Sequence, residues 1–176
     1  MRIISGKHKG RRIQPPTNIT ARPTTDFAKE GLFNLLNNRI DFEGISMLDL
    51  FAGTGGIGIE FVSRDCRNVT SVEQNERHIA FIRKVCSELK IENLTAIKTD
   101  VFKFIDTCHC KFDFIFADPP YDLKRLTEIP DLIFAQQLLA PDGLFVLEHS
   151  VKNSFENHPR FVEHRHYGNV NFSFFE

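Results

Sequence analysis

Tryptophan is missing from the 176 residues, and methionine and tyrosine appear only twice each, whereas phenylalanine appears 18 times. A core packed by phenylalanine and aliphatic side chains is therefore expected. No stretch approaches the ~20 apolar residues that a membrane-crossing helix needs. The opening Met1-Arg2-Ile3-Ile4-Ser5-Gly6-Lys7 lacks the apolar centre of a signal peptide, so a cytoplasmic protein is expected. Cysteine is sparse too. Cys108-His109-Cys110 looks like a metal-binding fragment, but no second ligand pair stands at zinc-site spacing, so reduced structural thiols and no metal are expected. His164 and His166 share one face of a strand and read as surface residues. Internal repeats and low-complexity segments are absent. One domain over residues 1–176 is expected, with residues 1–40 forming a basic hairpin and helix at its front.

Charge is what the chain distributes unevenly. The formal net charge is −1, yet residues 1–30 carry seven basic side chains against two acidic ones, which leaves −6 on the rest. A basic arm on an acidic body suits a polyanionic partner; a solvated charged hairpin would look the same by charge alone. Two short strands, 2–5 and 10–14, are predicted for this arm, with Lys7, Lys9, Arg11 and Arg12 on or beside them. Gln14 to Asn18 reads as a loop. Arg22-Pro23-Thr24-Thr25-Asp26 carries helix-start signals, and Phe27, Ala28, Leu32, Leu35 and Leu36 recur at helical spacing to about Asn38. Gly31 inside that helix costs about 1 kcal/mol against alanine, which points to close packing there.

Further along, strands and helices alternate. Strands are predicted at Met47–Phe51, Asn68–Glu73, Leu94–Thr99, Phe112–Ala117 and Leu144–Glu148, the last after a Pro141-Asp142-Gly143 turn. Alternation of this kind argues for a mostly parallel, doubly wound α/β sheet. The tail departs from it: Phe161–Tyr167 and Val170–Phe175 flank Gly168-Asn169, the signature of an antiparallel hairpin.

Two motifs carry chemistry. After the first strand, Gly53, Gly55 and Gly58 satisfy G-x-G-x-x-G and open a helix, a nucleotide-type pocket that serves NAD, FAD and S-adenosylmethionine (SAM) alike. After the fourth strand stands Asp118-Pro119-Pro120-Tyr121, the D-P-P-Y signature of methyltransferases acting on exocyclic or amide nitrogens. A strand order of 3-2-1-4-5 would bring both loops to one crevice. There the Asp118 carboxylate and the Pro119 carbonyl could accept the two N–H groups of an amine whose lone pair is delocalised. Pro120 stiffens the loop, and Tyr121 offers a ring for a base to stack on. Glu73, at the end of the second strand, is placed for ribose hydroxyls. Asp100 with Val101 is placed for adenine, although Asp100 could equally cap a helix. Asp49 inside a buried strand needs a partner, and Phe51 completes the turn beside the glycines.

With these residues in place, the chain resembles the RsmD-type 16S rRNA guanine-N2 methyltransferases, a family with the Rossmann-like class I methyltransferase fold. The resemblance rests on Arg2-Ile3-Ile4-Ser5-Gly6 with Lys9-Gly10-Arg11-Arg12, on Arg22-Pro23-Thr24-Thr25-Asp26 leading to Glu30-Gly31-Leu32-Phe33-Asn34-Leu35-Leu36, on Phe51-Ala52-Gly53-Thr54-Gly55 and on Asp118 to Tyr121. Lys29 and Gly31 depart mildly from the family's arginine and alanine. The resemblance implies methyl transfer from SAM to N2 of guanine 966 of 16S rRNA, on a substrate assembled with ribosomal proteins as a 30S subunit or an assembly intermediate. Asp118, Pro119, Pro120 and Tyr121 would be catalytic. Asp49, Phe51, Gly53, Gly55, Glu73, Asp100 and Val101 would hold SAM, and Lys7, Lys9, Arg11, Arg12 and Arg22 would grip RNA. Rival readings are an adenine-N6 or cytosine-N4 DNA methyltransferase, and a non-catalytic RNA-binding assembly factor of the same fold.

Overall fold

The computed structural model describes residues 2–15 and 26–176. Arg22, the Pro23–Thr25 helix start and residues 16–18 of the expected loop lie outside them. In chain order the elements are α1 (Asp26–Leu36), β1 (Ser46–Leu50), α2 (Gly56–Ser63), β2 (Asn68–Glu73), α3 (Glu76–Leu89), β3 (Leu94–Lys98) and α4 (Val101–Thr107). They continue with β4 (Phe112–Ala117), a 3-10 turn at Leu126–Glu128, α5 (Ile129–Ala135), β5 (Leu139–His149), β6 (Phe161–Tyr167) and β7 (Val170–Phe175). Among the described residues seven strands form one sheet in the order β3-β2-β1-β4-β5-β7-β6. The first five are parallel, and β7 runs antiparallel between β5 and β6. This is the doubly wound sheet with a terminal hairpin that the alternation and the Gly168-Asn169 turn predict.

Every residue of β1 is buried, as a central parallel strand covered on both faces must be. Side chains alternate between two apolar clusters. Met47, Phe114, Phe116 and Val146 pack with α1, α2 and α3 on one face, and Leu48, Leu50, Ile115 and Leu147 pack with α4 and α5 on the other. Phenylalanine does much of the filling. Phe61 of α2 stacks on Phe114 with ring centroids 4.7 Å apart and meets Phe33 and Phe42 edge-on at 5.5 and 5.1 Å. Asp113, which interrupts the apolar run of β4, accepts hydrogen bonds from the Ser46 amide (2.7 Å) and hydroxyl (2.8 Å) and so pins β1 to β4.

Two elements differ from expectation. β5 starts at Leu139, and Pro141-Asp142-Gly143 forms a bulge within it: the β4 partner moves from Phe112 to Phe114 while the β5 partner moves from Leu139 to Leu144. The turn residues are doing what their type dictates, with Asp142 at φ 60°, but pairing resumes on both sides of them. Among the described residues the N-terminal arm forms no regular strands. A single antiparallel bridge joins Arg2 to Arg12, flanked by Ile3 N–H to Arg11 C=O (3.0 Å) and Gly10 N–H to Ile3 C=O (2.9 Å). The backbone donors that a longer ladder would use are taken by α2. Ile4 and Ser5 N–H groups each donate to the Glu60 carboxylate at 2.9 Å, and Lys7 N–H donates to Ser63 C=O at 2.7 Å. Ile3 and Ile13 are buried in the main cluster, so the arm is part of the core and not an appendage to it.

Candidate functional site

The backbone between β1 and α2 makes the first wall of the site. Phe51 follows the strand in the left-handed region at φ 59°, a conformation costing a bulky residue about 1–3 kcal/mol. Gly55, at φ 76°, serves as the N-cap of α2. Gly58 has a different task. A Cβ there would lie 2.9 Å from Ser71 Oγ and 3.1 Å from Asp49 Oδ2, so only glycine lets α2 come this close to β1 and β2. That approach also gives the buried Asp49 its partner, since the Gly58 N–H donates to Asp49 Oδ2 at 3.2 Å. Burial pushes the Asp49 carboxyl up to about 7; the negative charge of Glu73 pushes the same way, and the Gly58 hydrogen bond opposes both.

Glu73 ends β2 almost fully buried. Its Oε2 accepts from Gly53 N–H and its Oε1 from Asn75 N–H, both at 2.8 Å, so one carboxylate braces the glycine loop and the start of α3 together. A carboxylate has about four lone-pair sites, which leaves this one able to accept two hydroxyls as well. His78 lies beside it, Nδ1 3.5 Å from Glu73 Oε2. Asp100 is exposed and caps α4 through Lys103 N–H at 3.0 Å, with Val101 behind it.

The second wall follows β4. Asp118 N–H donates to Leu50 C=O at 3.3 Å, tying the start of the Asp118–Tyr121 loop to the end of β1. Pro119 is buried, Pro120 is exposed, and Leu123 N–H closes a turn onto Pro120 C=O at 2.9 Å. The Tyr121 hydroxyl donates to Glu148 Oε1 at 3.0 Å, which fixes the tilt of its ring.

Both walls face one cavity of about 810 Å³, within the size range of ligand and cofactor sites. Asp49, Phe51, Gly53, Glu73, Asp100, Val101, Asp118, Pro119, Pro120 and Tyr121 all line it. Gly55 does not; it shapes the turn from outside. Lys7, Lys9, Arg11 and Arg12 are exposed and also lie off the cavity, with Lys7 paired to Asp65 at 3.5 Å. The arm meets the cavity wall through Lys29, whose Nζ donates to Arg2 C=O at 2.8 Å and pairs with Glu60 at 3.2 Å. Burial pulls the Lys29 ammonium below its ordinary value, while Glu60 holds it up.

Sequence reading did not place Lys29, His78 or Glu148 in the site. Lys29 and His78 lie on helix faces that no local pattern aims at a pocket. Glu148 carried a usable signal, because it is an acid at the carboxyl end of a strand, as Glu73 and Asp118 are. Among the described residues no group of three or more His, Cys, Asp or Glu side chains could hold a metal ion.

Comparison with known proteins places these features in a family. The family profile described as Conserved hypothetical protein 95 matches residues 1–176. The Bacillus subtilis protein YlbH, whose name gives a provisional rRNA methyltransferase assignment, is 38% identical over 156 residues, covering 85% of this chain and 82% of that one. Ribosomal RNA small subunit methyltransferase D of Escherichia coli is 31% identical over 159 residues, with 90% and 79% covered. The solved structure of a hypothetical protein from Thermus thermophilus superposes with a TM-score of 0.87 at 26% identity, covering 100% of this chain and 99% of that one.

Proposed function

The chain belongs to the Conserved hypothetical protein 95 (RsmD) family, and from that premise we propose that it methylates the exocyclic N2 of a guanine in small-subunit rRNA with SAM as donor. The target proposed is guanine 966 of 16S rRNA. The observation that carries the proposal is the shared cavity, in which the Gly53–Gly58 turn and the Asp118–Tyr121 loop face each other. A dinucleotide oxidoreductase has no use for the second loop.

The residues present fit SAM. Glu73 would accept from the ribose hydroxyls, Asp100 and Val101 would flank the adenine, and the loop from Phe51 through Gly53 would let the rest of the molecule lie against backbone. When bound, SAM supplies an electrophilic methyl group on a sulfonium sulfur. Asp118 and the Pro119 carbonyl accept from the two N–H groups of the guanine amine and turn its nitrogen towards tetrahedral geometry. Asp118 then stands where it can take the proton that the nitrogen loses. Tyr121 stacks on the base, worth about 1–3 kcal/mol. Alignment of amine and methyl within one cavity supplies much of the rest.

The RNA must be held by its backbone and the base brought out of its stack. The exposed cations Lys7, Lys9, Arg11 and Arg12, together with Arg22, are proposed to make those phosphate contacts. An rRNA already shaped by ribosomal proteins, in a 30S subunit or an assembly intermediate, is the proposed substrate, and naked rRNA a poor one. Mass-spectrometric mapping of 16S rRNA from a deletion strain, with and without the gene restored, tests the proposal. Loss and recovery of one N2-methylguanosine is expected. An unchanged methylation pattern would refute it.

A further inference from the structure

We infer that Glu148 is the residue by which the pocket selects guanine, accepting the N1–H of the base while Asp118 takes the neighbouring N2 amine. The inference rests on the guanine-N2 reading above and adds the means of discrimination.

β4 and β5 are parallel, and Ala117 is the register partner of Leu147. Glu148 follows Leu147 within β5, and Asp118 follows Ala117 just past the end of β4, so the two stand at neighbouring strand ends in a sheet whose strands run about 4.8 Å apart. Both line the cavity that holds the glycine turn. Glu148 is only 4% exposed. A carboxylate is brought into such surroundings at a cost unless donors reach it. One donor is the Tyr121 hydroxyl, at 3.0 Å from Oε1. With about four lone-pair sites, a carboxylate can accept from Tyr121 and from a base together.

The bases differ at the atom next to the amine. Guanine places a second donor, N1–H, beside its N2 amine. Adenine and cytosine place a ring nitrogen lone pair beside theirs. Carboxylate oxygens of Asp118 and Glu148 turned to the base are complementary to two adjacent donors and repel a lone pair. The same loop signature could serve any exocyclic amine; a carboxylate on the neighbouring strand narrows it to guanine.

The test uses the full-length protein and assembled small-subunit particles whose 16S rRNA carries either guanine or 2,6-diaminopurine at the target. The analogue keeps the 2-amino group but has a lone pair at N1. Methyl transfer by the wild type is expected to favour guanine by about 10- to 100-fold in kcat/KM. Glu148→Gln, whose amide can present an N–H to N1, should bring the ratio towards unity. Tyr121→Phe breaks the bond to Glu148; it should lower both rates and keep the preference. Calorimetric SAM affinity near the wild-type value checks that each variant is folded. A wild-type ratio near one, or an unchanged ratio in Glu148→Gln, would overturn the inference while leaving guanine methylation standing. Wild-type transfer to a different base would overturn both together.

Discussion

Asp49 holds a carboxyl group inside a parallel sheet, where the Gly58 N–H donates to it. Its folded-state pKa, pushed up to about 7 from 3.8, means that the folded protein binds a proton which the unfolded chain gives up near pH 4. The stability this proton contributes is present in full below pH 3.8 and is lost as pH rises to about 7. Wild type should therefore lose stability relative to Asp49→Asn across that window, with a slope of at most about 1.4 kcal/mol per pH unit. Urea titrations from pH 4 to 8 measure it, and parallel curves would contradict the buried, protonated carboxyl. Gly31 invites a second test. A Cβ there would sit 2.3 Å from Tyr167 Cε1, and the Tyr167 hydroxyl donates to Gly31 C=O at 3.2 Å. Gly31→Ala should destabilise by about 1–3 kcal/mol through overpacking. In a Tyr167→Ala background the same change should stabilise, by about 1 kcal/mol of helix propensity. Both residues were legible in part. A carboxylate in an apolar strand announces a partner and a glycine in a helix announces a neighbour, but neither pattern names the atom it meets.

The arm and its fastening to α2 belong to the scale of elements. Glu60, with no exposed surface, receives Ile4 N–H, Ser5 N–H, Lys29 Nζ and, at 3.2 Å, Arg64. Removing it leaves a buried ammonium without this counter-ion and two backbone donors unpaired, so Glu60→Ala should cost about 3–5 kcal/mol and free the arm to proteolysis. A stable variant with a protected arm would show that apolar packing of Ile3 and Ile13 suffices. The exposed cations make a separable contribution. Replacing Lys9, Arg11 and Arg12 by alanine should weaken particle binding and flatten its salt dependence by up to about two to three units of log–log slope. SAM affinity, set at the opposite end of α2, should barely move. Unchanged binding at physiological salt would make the arm structural only. Its composition announced a basic hairpin. That its donors serve a glutamate 55 residues away is a tertiary fact that no local pattern carries.

At the scale of the molecule, most of the architecture was legible because parallel strands covered on both faces write themselves as short apolar runs between helices. The expected strand order by itself joins the two loops into one crevice. Glu148 escaped because its meaning depends on register. Only the pairing of Ala117 with Leu147 sets it beside Asp118. In the proposed reaction cofactor and base divide the cavity between them. Glu73→Ala should weaken SAM binding severalfold or more in calorimetry, and an unchanged affinity in a folded variant would remove Glu73 from the cofactor site. Asp118 is proposed to orient a guanine amine for methyl transfer. The most direct test is labelled methyl incorporation into small-subunit particles by wild type and Asp118→Ala, with SAM affinity measured alongside and the product nucleoside identified by mass spectrometry. The expected result is N2-methylguanosine from wild type, and no detectable transfer from an Asp118→Ala protein that still binds SAM. Near-normal turnover in that variant, or a methyl group on another base, would contradict the account.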